Sequence, residues 1–163
     1  MKILVTGGGG FIGSNIVEEL LINNYEVKVL DNFSTGRREN LKSILNDIEL
    51  IEGDIRSYHT VQKAVKGVEV ILHQAALPSV PRSINDPITT NEVNVGGTLN
   101  ILDAAKEFGV RRVVFASSSS VYGDNPELPK HEGMKPNPLS PYAVSKLTGE
   151  HYLRVFNRLY GIE

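Results

Sequence analysis

The sequence predicts an α/β fold, a doubly wound parallel sheet with helices on both faces. Three observations carry that expectation. Short β-rich runs alternate with stretches whose apolar residues recur at helical spacing. A glycine cluster, Thr6-Gly7-Gly8-Gly9-Gly10-Phe11-Ile12-Gly13, lies between the first such run and the first helical stretch. An acidic residue, Asp31, closes the second run. The chain has 163 residues, 40% of them hydrophobic, enough for one core, so residues 1–163 are expected to form one domain.

The elements follow in order. Ile3-Leu4-Val5 is a short apolar strand. Ile12, Ile16, Val17, Leu20 and Leu21 form a helical stripe. Tyr25 to Leu30 and Ile48 to Ile51 are the second and third strands, with a helix over Val61 to Val65 after them. Val68 to Leu72 is the fourth strand. Asp86-Pro87 starts a helix, with Asp as cap and Pro in the first turn. Thr98 to Phe108 is helical and stops at Gly109. Arg112 to Ala116 is the fifth strand, and Pro141 to Tyr160 is a long helix capped by Gly161. Gly123 turns the chain after the fifth strand. The stretch from there to Ser140 holds four prolines (126, 129, 136, 138) and reads as a long surface loop of functional type.

Composition excludes several classes. A net charge of −2 offers no basic face for nucleic acid or anionic lipid. There is no cysteine, so disulfides and thiolate metal sites are excluded. The four histidines (59, 73, 131, 151) lack metal-ligand spacing, and no metal is expected; His73 is expected to be structural. The apolar start is too short for a signal peptide, and no run nears the ~18 apolar residues of a membrane span. A soluble, cytoplasmic protein is the expectation.

Gly7, Gly10 and Gly13 are spaced G-x-x-G-x-x-G. Glycine there lets the backbone turn sharply and approach a pyrophosphate, whose charge then sits on the helix N-terminus. Asp31 lies close to the ~20-residue offset at which an acid holds the adenosine ribose hydroxyls. A carboxylate there repels a 2′-phosphate, so NAD is expected over NADP. Arg37 and Arg38 are the counter-argument as phosphate clamps, or else solvated loop charges.

Residues 142 to 146 read Tyr-Ala-Val-Ser-Lys. Positions i and i+4 share a helix face, so Lys146 can sit beside Tyr142. A free phenol is a poor base at neutral pH, and a neighbouring ammonium favours the phenolate. The pattern alone is common by chance. Its meaning comes from the serines at Ser117 to Ser120, which stand at the carboxyl end of the fifth strand, where ligands bind in open α/β sheets.

These residues resemble the extended short-chain dehydrogenase/reductase family, and within it the NAD-dependent nucleotide-sugar 4-epimerases. TGGGGFIG, DNFSTG, GDIR, HQAALPSVPRS, NVGGT, SSSSVYGD and SPYAVSK look like its motifs, in the family's order. The resemblance implies a Rossmann-type fold. Gly7, Gly10, Phe11, Ile12 and Gly13 would hold the pyrophosphate. Asp31, Asn32, Ser34, Thr35 and Gly36 would surround the adenosine ribose, and Asp54 and Ile55 the adenine. Gln74, Ala75, Ala76 and Pro78 would border the nicotinamide half, with Asn94 nearby. Ser118 would be the catalytic serine, Tyr142 the base and Lys146 its partner; Ser79, Arg82, Ser118 and Ser119 would meet the substrate.

The implied reaction is C4 epimerisation of a UDP-sugar, glucose/galactose or the N-acetylated pair, through a transient 4-keto sugar. Sister dehydratases carry an Asp-Glu pair where Ser119 and Ser120 stand, and sister decarboxylases tend to carry Glu at the latter position. The resemblance also implies a homodimer through a four-helix bundle formed by residues 86–108 and 142–160. Family members continue past Gly161-Ile162-Glu163 into a C-terminal substrate domain, missing from this chain. An inactive NAD-binding fragment is therefore a further alternative.

Overall fold

The computed structural model describes residues 1–163. Five parallel strands form one sheet: β1 (Lys2–Thr6), β2 (Glu26–Asp31), β3 (Ile48–Glu52), β4 (Val70–His73) and β5 (Arg112–Phe115), in the order β3-β2-β1-β4-β5. Register places Val5 beside Val29 and Leu72, and Thr6 beside Leu30 and His73. The winding reverses between β1 and β4. In a doubly wound sheet the crevice beyond the carboxyl ends at that point is the ligand site.

Side chains alternate across the sheet with period two. Val5, Val27 and Val29 face α1 (Phe11–Ile22) and a 3-10 stretch (Arg38–Asp47), where Val17 and Leu41 meet them. Leu4, Leu30, Ile71 and Val113 face the opposite layer. That layer comprises α2 (Tyr58–Val65), α5 (Thr98–Glu107) and α6 (Pro141–Tyr160), which contribute Val61, Ile101 and Phe156. Fully buried side chains such as Leu4, Val29 and Ile71 each contribute roughly 1.5–3 kcal/mol relative to exposure.

Helix boundaries follow the expected caps at Asp86 and Gly161, and Ser140 adds one that was not expected. The Ser140 hydroxyl accepts from the Ala143 amide at 3.1 Å, Pro141 occupies the first turn, and Gly161 closes α6 at φ +70. Asp86 accepts from the Thr89 amide at 3.0 Å. The helix it starts is not uniform: α4 (Pro87–Asn91) passes through a π-helical turn (Glu92–Gly97) into α5.

The structure corrects several expectations. β4 begins at Val70, because the Val68 amide bonds to the Val65 carbonyl and finishes the turn after α2. Ile12, expected in the core stripe, is 63% exposed and Phe11 is 81% exposed; the first turn of α1 stands beyond the end of the sheet. Three elements were not expected: α3 (Val80–Asn85) and a 3-10 turn over Ser119–Tyr122, both too short for a period, and the 3-10 stretch, whose Leu41, Ile44 and Leu45 recur on one face.

Candidate active site

The glycine loop packs against itself and against the segment after β4. Gly7 has φ +72, and a β-carbon there would lie 2.7 Å from the Ala75 nitrogen. A β-carbon on Gly13 would lie 2.1 Å from the Gly7 carbonyl oxygen. No L side chain fits either place. The Ser14 amide is the first in α1 with a helical acceptor, the Gly10 carbonyl at 2.9 Å. The amides of Phe11, Ile12 and Gly13 have no backbone acceptor, so the loop offers an anion three donors at the positive end of a helix.

Two pockets run together along the carboxyl edge of the sheet. One is lined by Gly7, Gly10, Phe11, Ile12, Gly13, Gly36, Gln74, Pro78, Tyr142 and Lys146. The other is lined by Asn32, Ser34, Asp54 and Ile55. Asp31, Thr35, Ala75 and Ala76 border both. The groove thus gathers every residue expected around the cofactor except Asn94. That residue is 2% exposed, with its carboxamide bonded to both backbone groups of Leu77 and to the Ser145 hydroxyl. It touches the groove only through the wall it supports.

The acids of the groove are held by donors. Asp31 accepts from the Gly9 amide at 2.8 Å and the Phe33 amide at 2.7 Å. Asp54 accepts from Arg56 at 2.8 Å and from Asn32 at 2.9 Å. The Arg56 hydrogen bond foremost holds the Asp54 carboxyl below the usual carboxylate range. Arg38 pairs with Glu52 and stacks on Phe33 at 4.5 Å. Its guanidinium already has a carboxylate partner, which weakens the case for Arg38 as a phosphate clamp, while the Arg37 side chain is exposed.

Tyr142 and Lys146 lie on one face of α6 and line the same groove. The Lys146 ammonium donates to the Ala116 carbonyl at 2.9 Å, lies 4.9 Å from the Phe115 ring centre and 5.9 Å from that of Tyr142. The residue is 4% exposed, and burial pulls its pKa down to about 8. Beneath it, His73 is buried between the Thr6 hydroxyl at 2.6 Å and the Thr98 hydroxyl at 3.0 Å. Burial, then the nearby Lys146 charge, lowers its pKa to about 3. It is a neutral structural residue, as expected.

The serines divide. Ser117 lines the groove and donates to Glu150 at 2.5 Å. Ser118 turns its hydroxyl into the following 3-10 turn, where the Ser120 amide donates to it at 3.2 Å and the Ser120 hydroxyl at 2.9 Å; Ser119 is exposed. Ser79 caps α3, accepting from the Arg82 amide at 3.4 Å, with φ +98. Neither Ser79 nor Arg82 lines the groove. Ala116, Arg56 and Leu77 are lining residues that the sequence did not single out. Ala116 acts through its backbone, which no residue type announces. No cluster of three or more potential metal ligands is present, and no helix is long and apolar enough to cross a membrane.

Fold and groove together define a Rossmann-type α/β domain with a helix-borne Tyr–Lys pair at the carboxyl edge of its sheet. The chain belongs to the NAD dependent epimerase/dehydratase family, whose sequence model matches residues 3–163. It is 47% identical over 163 residues to a putative UDP-glucose 4-epimerase of Methanocaldococcus jannaschii, covering 99% of this chain and 52% of that protein. It is 44% identical to UDP-glucose 4-epimerase of Mycolicibacterium smegmatis, covering 100% of this chain and 53% of that protein.

Among solved structures, a Thermus thermophilus UDP-glucose 4-epimerase in complex with NAD superposes with a TM-score of 0.94 at 44% identity, over 100% of this chain and 53% of that one. A dTDP-glucose 4,6-dehydratase of Streptomyces venezuelae with NAD bound superposes at 0.93 and 38% identity, over 99% and 53%. The chain spans about half the length of the curated relatives it matches.

Proposed function

We propose that residues 1–163 form the NAD-binding domain of a nucleotide-sugar 4-epimerase acting on a UDP-sugar. The observation that carries this reading is that Tyr142 and Lys146 share one groove with the glycine loop and Asp31. The groove fits the dinucleotide. A β-carbon on Gly7 or Gly13 would fill the loop, three amides lack acceptors, and the Asp31 carboxylate stands further along the same groove. The amides of Phe11, Ile12 and Gly13 would take the pyrophosphate, Asp31 the ribose hydroxyls, and Asp54 the adenine edge.

When bound, NAD supplies a site that accepts and returns a hydride. The chain's own groups do the rest. Tyr142 takes the proton from the sugar 4-hydroxyl and later gives it back. The Lys146 ammonium steadies the phenolate while the Ala116 carbonyl holds the ammonium in place. Ser117 lines the groove where β5 ends; Ser118, expected as the catalytic serine, lies outside the groove lining and would have to turn its hydroxyl away from Ser120 to orient the sugar oxygen. The dehydratase reading is weaker, because Ser119 and Ser120 supply no carboxyl group for an elimination.

A second copy of the chain is the proposed partner. Exposed Ile88, Val144, Val155 and Leu159 on α4 and α6 supply apolar surface for it. A chain without cysteine fits the cytoplasm.

The test is incubation with NAD+ and UDP-glucose, then UDP-N-acetylglucosamine, with proton NMR for the C4 epimer. Formation of the epimer, lost in Tyr142→Phe with NAD+ affinity kept, supports the reading. Turnover in Tyr142→Phe close to that of the parent chain would sink it. A chain that binds NAD+ and forms no epimer keeps the cofactor reading and takes catalysis away from this segment alone.

A further inference from the structure

The most densely bonded point of the glycine loop is a residue that lines neither pocket. Gly9 is buried. Its amide donates to Asp31 at 2.8 Å. Its carbonyl accepts twice, from the Arg37 amide at 2.9 Å and from the Asn40 carboxamide at 2.9 Å. Gly36 lies against the same peptide, where a β-carbon would be 2.8 Å from the Gly9 carbonyl carbon and 3.1 Å from the Gly10 nitrogen. The segment from Asp31 to Asn40 therefore folds back over the loop and grips it at one peptide.

Of the three hydrogen bonds from this segment, one uses the Arg37 backbone amide and one the Asp31 carboxylate, whose proposed task is the ribose. Asn40 is the side chain with no such second task. It stands in the first turn of the 3-10 stretch, half-buried, and its amide reaches across thirty-one residues of sequence. A carbonyl with two donors is fixed in direction. Fixing the Gly9 carbonyl fixes the plane of the peptide that joins it to Gly10, and Gly10 precedes the three acceptor-free amides of α1.

We infer that Asn40 is a positioning residue for the diphosphate group of the cofactor: through the Gly9 carbonyl, it sets the glycine loop in the conformation that presents the amides of Phe11, Ile12 and Gly13. The inference rests on the proposed NAD-binding role of the groove. It assigns Asn40 no contact with the ligand. A loop set in advance does not have to be ordered when the ligand arrives, and affinity is gained by avoiding that cost. The effect belongs to the diphosphate and not to the nucleoside, whose proposed contacts at Asp54 and Ile55 lie on the far side of β2.

Calorimetric titration of the 163-residue chain with NAD+, ADP and adenosine tests this, with a thermal melt of each variant. The variants are Asn40→Ala, Asn40→Asp and Asn40→Gln, with Asn46→Ala, an exposed residue of the same stretch, as control. Loss of one hydrogen bond predicts about 5- to 10-fold weaker NAD+ and ADP binding in Asn40→Ala. Adenosine binding should change less than about twofold. Asn40→Asp, which turns a carboxylate toward a carbonyl, should lose at least as much, and Asn40→Gln, which keeps the amide, should recover part. Asn46→Ala should match the parent.

Unchanged ADP affinity in a folded Asn40→Ala overturns the inference, as does an equal loss for adenosine and ADP, which marks a general loosening. If Asn40→Ala melts below the working temperature, the comparison of Asn40→Asp with Asn40→Gln carries the same decision: equal ADP affinity in the two overturns it. A parent chain that binds none of the three ligands overturns the NAD-binding reading itself, and this inference with it.

Discussion

The Lys146 ammonium lies 5.9 Å from the centre of the Tyr142 ring, one helical turn along α6, and its hydrogen bond goes to the Ala116 carbonyl. No carboxylate pairs with it. The charge is therefore held in place by a backbone dipole and two aromatic faces, and it stays available to the phenol.

One prediction concerns stability and pH. Burial lowers the Lys146 pKa from 10.5 to about 8. Between those values the unfolded chain binds the extra proton and the folded chain does not, so this group makes stability rise with pH across that window. The gain is about 3 kcal/mol at most, at roughly 1.4 kcal/mol per pKa unit. Denaturant melts at pH 7.5 and 10 should show this increment in the parent relative to Lys146→Met. Parallel pH profiles in the two proteins would contradict it.

His73 gives the opposite end of the scale. Its folded pKa of about 3 lies below the ordinary 6.5, chiefly because the ring is buried. The stability it contributes is complete above pH 6.5 and drains away as pH falls toward 3, because only the unfolded ring takes up the proton. His73→Gln should be destabilised at pH 7 by about 1–3 kcal/mol, from two threonine hydroxyls left without their ring partner. It should also lose stability less steeply between pH 6.5 and 4. A mutant as acid-labile as the parent would refute the account.

The glycine loop predicts a steric failure. Gly13→Ala places a methyl group 2.1 Å from the Gly7 carbonyl oxygen. The loop and α1 must separate, at a cost of about 1–3 kcal/mol. NAD+ affinity should fall by at least about tenfold, one hydrogen bond's share or more. Calorimetry together with a thermal melt reads both, and full affinity in this variant would be incompatible with the groove as the dinucleotide site.

Cofactor choice follows from Asp31 and Arg38. With the Arg38 guanidinium paired to Glu52, exposed Arg37 is left as the nearby loop cation to set against the repulsion between Asp31 and a 2′-phosphate. NADP+ should bind at least about tenfold more weakly than NAD+, which is 1.4 kcal/mol of repulsion. Asp31→Asn should narrow that ratio. Equal affinity of the parent chain for the two dinucleotides would show the carboxylate to be irrelevant to the choice.

The sheet, the glycine loop and α6 were legible in the sequence because each is governed by local rules: alternation on a buried strand, glycine where no β-carbon fits, and Gly at a helix end. Lys146 beside Tyr142 was legible for the same reason, as a matter of helix geometry. What escaped was of two kinds. The short α3 has too few turns to print a period, and in the 3-10 stretch over Arg38–Asp47 the spacing of Leu41, Ile44 and Leu45 went unread among polar and charged residues. The Ala116 carbonyl under Lys146, the Ser117 hydroxyl on Glu150 and the Asn40 amide on Gly9 are tertiary pairings. Their residue types are ordinary, and only the packing of distant segments brings them together.

Asn94 shows how such a pairing shapes the whole groove. Beyond β4 the chain has no strand beside it, yet Leu77 has both backbone groups answered: its amide by the Asn94 oxygen at 2.7 Å, its carbonyl by the Asn94 nitrogen at 3.1 Å. A carboxamide repeats the donor and acceptor of a peptide unit. Asn94 thus serves as a one-residue substitute for a neighbouring strand, carried in by a helix through its π-helical turn. The same nitrogen reaches the Ser145 hydroxyl at 3.1 Å, which in turn donates to the Tyr142 carbonyl at 2.7 Å. The wall of the groove and the start of the helix bearing Tyr142 are thus tied through a single amide, so a displacement of one is felt by the other.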